Sequence, residues 1–151
     1  MKTYAKKKSE IKRNWLLVDA KDQVVGRVAS QVAMFLMGKH KTDYSPHLDT
    51  GDYVVVVNVD KLKFTGNKLQ DKLYHRHTGF IKGIRTTTAG EMMAKRPDRV
   101  LRIAVKGMLP KNNLSLRRLM KLKVYSGDAH PHKTQNATAV KITARTGKVE
   151  R

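Results

Sequence analysis

A chain of 151 residues, 40% of them apolar, is long enough for one domain that buries roughly 70% of the surface its unfolded form exposes. Its 32 Lys and Arg against 12 Asp and Glu leave a formal charge of +20, which self-repulsion makes costly unless a polyanion offsets it. The absence of Cys excludes disulfides, thiolate zinc sites and a cysteine nucleophile, and the longest apolar run, VAMFLM at 32–37, falls far short of the roughly 20 residues that span a bilayer.

Residues 1–13 read as a basic N-terminal arm: they lack the apolar stretch of about 7 to 15 residues that marks a secretory signal, and a cysteine-free chain suits the cytoplasm. The domain proper spans 14–132. It opens with WLLVDA at 15–20, a short apolar run closed by the polar KDQ. Val25, Val28, Ala29, Val32, Ala33 and Leu36 then recur at three- and four-residue spacing, which predicts a helix that Gly38 stops. The near-continuous valines of DYVVVVNV at 52–59 suit a strand buried on both faces. Strand, helix and buried strand in that order predict a parallel crossover unit and an α/β class.

FTGNK at 64–68 supplies turn chemistry, and KLYHRHT at 72–78 alternates as a partly exposed strand would. Thr88 with Glu91 forms a capping-box pattern for a short helix; Pro97 opens the next, with Val100, Leu101, Ala104, Val105 and Met108 as its apolar face and Pro110 as its end. In LSLRRLMKLKVYSG at 114–127, Leu116, Leu119 and Met120 fit one helical turn, whereas 121–124 alternate with a period of two. A short helix handing over to a short strand is expected there, with apolar residues in the core and Arg117, Arg118, Lys121 and Lys123 facing outward. One turn is too little for the sustained stripe of a membrane-surface helix. Residues 133–151, acid-free until Glu150, read as a basic C-terminal tail ordered only on binding.

The basic residues are not interspersed with acids as they are on an ordinary solvated surface. From Arg99 to Gly127 there are eight, namely Arg99, Arg102, Lys106, Lys111, Arg117, Arg118, Lys121 and Lys123, and no acid. A second acid-free window, from Lys72 to Gly90, holds Lys72, Arg76, Lys82, Arg85, His75 and His77; GKHK at 38–41 and the arm add two more clusters. This density on folded elements, with glycine-bearing turns, points to nucleic acid. RNA is favoured over DNA, because no helix-turn-helix, zinc-finger or basic-zipper pattern is present and scattered patches suit irregular folded RNA.

Nothing in the sequence assembles a catalytic site. His130 and His132, and the pair His75 and His77, are the metal constellations to weigh, and without Cys they are better read as RNA contacts or packing. TGNK lacks the glycine spacing of a phosphate loop. HLDTGDY at 47–53 contains the Asp-Thr-Gly triplet of aspartic proteases, but those enzymes pair two such carboxylates, and a basic surround would hold Asp49 and Asp52 ionised. Asp49 and Asp52 are expected to shape the turn into the valine strand.

GRVA at 26–29, GKHK at 38–41, PHLDTGDYV at 46–54, TGNK at 65–68, HTG at 77–79, VKGMLP at 105–110, KLKVYSG at 121–127 and HPH at 130–132 follow one another in an order and spacing that closely resemble the bacterial form of large-subunit ribosomal protein thirteen, over roughly residues 12–132. Ser115, and Phe80, Ile81 and Lys82 after HTG, depart from the family's usual pattern. The resemblance implies a three-layer α/β/α domain around a small, mostly parallel sheet of about four strands, no enzymatic activity and no cofactor. It implies binding to large-subunit, 23S-type ribosomal RNA as an early-assembling component beside neighbouring ribosomal proteins, and leaves the protein's own messenger RNA open as a second target. A free-standing RNA-binding regulator is the alternative. Taken with the charge clusters, the resemblance gives the expected RNA-binding set as Arg27, Lys39, His40, Lys41, Lys68, His75, Arg76, His77, Lys106, Lys111, Arg117, Arg118, Lys121, Lys123, His130 and His132.

Overall fold

The computed structural model describes residues 6–142; residues 1–5 of the expected arm and 143–151 of the expected tail lie outside the described residues. Strand β1 (Trp15–Asp19) and strand β2 (Tyr53–Val57) run parallel, with Trp15 opposite Tyr53 and Asp19 opposite Val57, and helix α1 (Val25–Met37) makes the crossover between them. All six apolar residues whose spacing predicts α1 are buried. Gly38 ends the helix at φ 85°, a conformation that favours glycine, and its amide donates to the carbonyl oxygens of Met34 and Phe35.

Between β2 and the next strand of this sheet lie helix α2 (Lys68–Asp71), strands β3 (Leu73–His77) and β4 (Ile84–Thr88), and helices α3 (Ala89–Lys95), α4 (Pro97–Met108) and α5 (Asn113–Met120). The strands β3 and β4 form a separate antiparallel hairpin. The Thr88 hydroxyl accepts a hydrogen bond from the Glu91 amide at the start of α3, as the capping pattern predicts, and Pro97 stands in the first turn of α4. Val100, Leu101 and Val105 of α4 are buried, whereas Met108 is exposed at the rim and the following Leu109 takes the buried place.

Strand β5 (Leu122–Val124) joins the sheet beside β2 and strand β6 (Thr138–Val140) beside β1, both parallel, giving the order β5-β2-β1-β6. Alternation puts Leu16, Val18, Val54, Val56, Leu122 and Val140 on one face, where they share the main core with α1 and α4. Trp15, Tyr53, Val55 and Val57 point to the other face, and residues 54–57 are buried throughout, so both faces are covered. On that second face the Trp15 and Tyr53 rings stack at 4.5 Å, and His132, from the β5–β6 connection, lies 5.0 Å from Trp15 while its Nε2 is hydrogen-bonded to the Tyr125 hydroxyl at 2.9 Å. The fold is the α/β class that the crossover pattern predicts, in the three-layer form around a small, parallel four-stranded sheet that the family resemblance implies.

Two expectations change. The chain beyond His132 is not all tail: Lys133–Gln135 form a tight helical turn and Thr138–Val140 close one edge of the sheet. Helix α5 is also rotated from its expected setting. Leu116 and Met120 are exposed and Leu119 is half-buried, while Arg118, 1% exposed, occupies the inward position. Burying a guanidinium requires partners, and the segment before β2 supplies them.

Candidate nucleic-acid interface

The residues expected to touch RNA divide into two groups, and the division follows from where the few acids sit. Asp52, buried at the start of β2, receives the Lys41 ammonium on Oδ1 and the His40 ring on Oδ2 at 2.8 Å, and its Oδ1 also accepts from the Asn14 amide at 2.8 Å. Lys41 donates further to the carbonyl oxygens of Lys12 and Thr50. Burial works to raise the Asp52 pKa, but the hydrogen bonds from His40, Lys41 and Asn14 outweigh it and hold the carboxyl below the ordinary aspartate range.

Asp49 does the same for the other end of the segment. Lys121, 6% exposed, places its Nζ 2.7 Å from Asp49 Oδ1 and 2.9 Å from the Gly51 carbonyl oxygen. Arg118 lies 3.7 Å from the same carboxylate oxygen and donates to the Leu48 carbonyl at 3.2 Å. Burial pushes the Lys121 ammonium below its usual pKa, and Asp49 opposes that shift. Gly51 fits between because it has no side chain: a Cβ there would fall 1.8 Å from the Leu36 carbonyl oxygen of α1. Arg118 and Lys121 therefore form an internal clamp that fastens the 38–52 segment to the end of α5, while His40 and Lys41 brace that segment within itself and against residues 12–14. The expectation that Arg118 and Lys121 face outward is corrected. In a chain so rich in cations, those closest to a buried carboxylate are consumed by it.

The second group is accessible. Arg27, Lys39, Lys68, His75, Arg76, His77, Lys106, Lys111 and Arg117 are exposed, and Lys123, His130 and His132 are half-buried. The fold gathers several of them around one residue of α4, Ile103. On one side of it Lys68 and Lys72 line a groove floored by Val25, Phe64 and Ala104; on the other, Arg76 and His75 of the hairpin face Lys106. The hairpin carries Phe80 and Ile81 at its tip, 79% and 96% exposed, in a turn where Gly79 and Lys82 both have positive φ. The histidines make local bonds: His75 Nδ1 to the Thr86 hydroxyl at 3.1 Å, and His77 Nδ1 accepting from the Gly79 amide at 3.0 Å. Among the described residues no group of three or more His, Asp or Glu could hold a metal ion, and no helix is long and apolar enough to cross a membrane.

The family profile described as ribosomal protein L13 matches residues 13–131. The chain belongs to the ribosomal protein L13 family. It is 54% identical to the large ribosomal subunit protein uL13 of Desulfovibrio desulfuricans over 136 residues, covering 90% of this chain and 94% of that one. The protein of the same name from Syntrophus aciditrophicus is 56% identical over 135 residues, 89% of this chain and 95% of that one. That of Methylobacillus flagellatus is 54% identical over 145 residues, 96% and 99% respectively. The ribosomal protein L13 match thus contains both the clamp and the exposed cations of the hairpin and α4, and stops before β6.

Two accessible arginines, the exposed Arg85 and the half-buried Arg99, are absent from the expected set although they stand in the acid-free windows. Arg85 faces Arg76 directly across the hairpin, and Arg99 precedes Lys106 by two helical turns on the same face of α4. Period-two and period-3.6 spacing within those windows carried the signal; the pairing of β4 with β3, needed to use it, did not follow from IRTTT alone.

Proposed function

We propose that the protein is a structural component of the large ribosomal subunit that binds 23S-type ribosomal RNA early in assembly and catalyses no reaction. The observation that carries this reading is the set of exposed cations on the hairpin, α4 and the 64–72 segment, which lie outside every ion pair formed among the described residues. Cations left without acids on a folded chain of +20 are available to phosphates. The names of the relatives place those proteins in the large ribosomal subunit, which supports the same partner here, with neighbouring ribosomal proteins beside it and the cytoplasmic ribosome as its location. The engagement of Asp49 and Asp52 by lysines supports the non-catalytic reading, since neither carboxylate is poised to exchange a proton with a substrate.

Sedimentation of a cell lysate tests the proposal: the protein should co-migrate with large subunits and with their precursors. A free-standing RNA-binding regulator would remain largely at the top of the gradient, and that outcome would overturn the reading. In vitro, neutralisation of about 6 to 10 phosphates should cost some 10³- to 10⁵-fold in RNA affinity between about 50 and 200 mM salt, by analogy with duplex DNA. An affinity indifferent to salt would be incompatible with an electrostatic interface.

A further inference from the structure

The cleft between the β3–β4 hairpin and α4 has a composition that folding alone does not explain. Register places Arg76 directly opposite Arg85, which brings their Cβ atoms to about 4.5–5.5 Å, and like charges in that position destabilise a strand pair. Across the cleft, Arg99, Ile103 and Lys106 share one face of α4 and line the same space. The floor is apolar, made by Ile103, Met92 and the Tyr74 ring; no Asp or Glu lines the cleft, and none of the four cations forms an ion pair among the described residues. Four positive side chains therefore converge on a volume of about 430 Å³ without an internal counter-charge.

We infer that this cleft holds one strand of RNA backbone by consecutive phosphates, with Arg76 and Arg85 gripping from the hairpin and Arg99 and Lys106 from α4. The inference rests on the RNA-binding reading above and specifies where the backbone is held. Guanidinium groups suit the task because their planar fork offers a phosphate two parallel hydrogen bonds. A polymer fits better than a small free anion because the cationic surface continues beyond the cleft, through Lys82 at the turn and Arg102 on α4, both exposed. At the hairpin tip, the exposed Phe80 ring is placed to stack on an unpaired base adjacent to the held backbone. An anion in the cleft would also remove the repulsion between Arg76 and Arg85, so occupancy should stiffen the hairpin against α4.

The test compares the full chain with Arg76→Gln/Arg85→Gln and with a charge-matched control, Lys21→Gln/Lys95→Gln, using protein-free large-subunit ribosomal RNA and, separately, inorganic tripolyphosphate as probes. The cleft variant should bind the RNA about 10- to 100-fold more weakly at about 150 mM salt, with the slope of log K against log salt shallower by about 2. Its thermal midpoint without ligand should be unchanged or higher, because a like-charge pair has been removed. Equal losses in the two variants, or a lowered midpoint in the cleft variant, would show that the arginines act as bulk charge or as structure and overturn the inference. Stabilisation of the unsubstituted protein by tripolyphosphate as large as that by RNA would assign the cleft to a small oligophosphate instead. Failure of the unsubstituted protein to bind RNA would strike the proposed function itself, a result distinguishable from all of these.

Discussion

Replacing Asp49 by Ala removes the carboxylate that Lys121 meets at 2.7 Å and Arg118 faces at 3.7 Å, and leaves both cations where water hardly reaches. Loss of one partner from a buried pair costs about 3–5 kcal/mol, against about 0.2–1 kcal/mol for an exposed pair. Two features place this site toward the lower end of the buried range. Lys121 keeps the Gly51 carbonyl and Arg118 the Leu48 carbonyl, and the Asp49 side chain is itself 17% exposed, so water can enter the space it vacates. The expected cost is then about 3 kcal/mol. At about 2–4 °C per kcal/mol for a domain of this size, the thermal midpoint should fall by about 6–12 °C. Urea unfolding followed by circular dichroism measures the free energy, and a cycle with Lys121→Met isolates the pair, because removing the stranded ammonium together with its partner should restore part of the loss. A cost below about 1 kcal/mol, the range of exposed pairs, together with no coupling to Lys121→Met, would refute the clamp.

Stability should also decline in acid through Asp52: its folded pKa lies below 3.8, so its contribution is complete above that value and is lost as pH falls through the lowered one. An acid-unfolding series should show a shallower slope in that range for Asp52→Asn. Gly51→Ala forces a methyl group to within 1.8 Å of the Leu36 carbonyl oxygen, a backbone atom that cannot swing aside, and should cost at least about 2 kcal/mol by chemical denaturation. Thr88→Ala removes the hydroxyl that caps α3 and should cost about 1 kcal/mol in the same assay. Arg117→Ala, at an exposed position beside the buried Arg118, should change stability by no more than about 0.5 kcal/mol.

Much of the α/β framework is legible in the residues because its signals are local. The valine and alanine spacing of α1, the glycine that ends it and the uninterrupted valines of β2 each specify an element within a dozen or so residues, and together they specify a parallel crossover. What stays hidden depends on partners remote in sequence. Strand β6 is three residues long and becomes a strand only by pairing with β1 at the other end of the chain; read locally, its polar and basic surroundings suggest a tail. Strand β4, IRTTT, has no buried residue and owes its form to the hairpin. The inward turn of Arg118 and Lys121 is a further case, since the carboxylate that makes it tolerable lies some 70 residues earlier. A hint was available in the acid count: in a chain with 12 acids among 32 bases, an aspartate pair inside HLDTGDY has many cations from which to draw partners. Which cations it takes is decided by the fold, and charge density cannot separate those taken from those left exposed.

The position of β6 has a consequence for the newborn chain. Its partner β1 leaves the ribosome first, and about 120 residues must follow before Val140 can settle opposite Val18. At about 5–20 residues per second, that leaves one flank of the first strand open for roughly 6 to 24 s after β1 itself has been made. During that interval the row of backbone amides and carbonyls along β1 is a template for any extended segment nearby, including another copy. A three-residue strand so near the end of the chain therefore acts as a late latch. Shortening the chain before Thr138 should leave the helices and core intact in outline while raising the tendency of the product to self-associate as it is made.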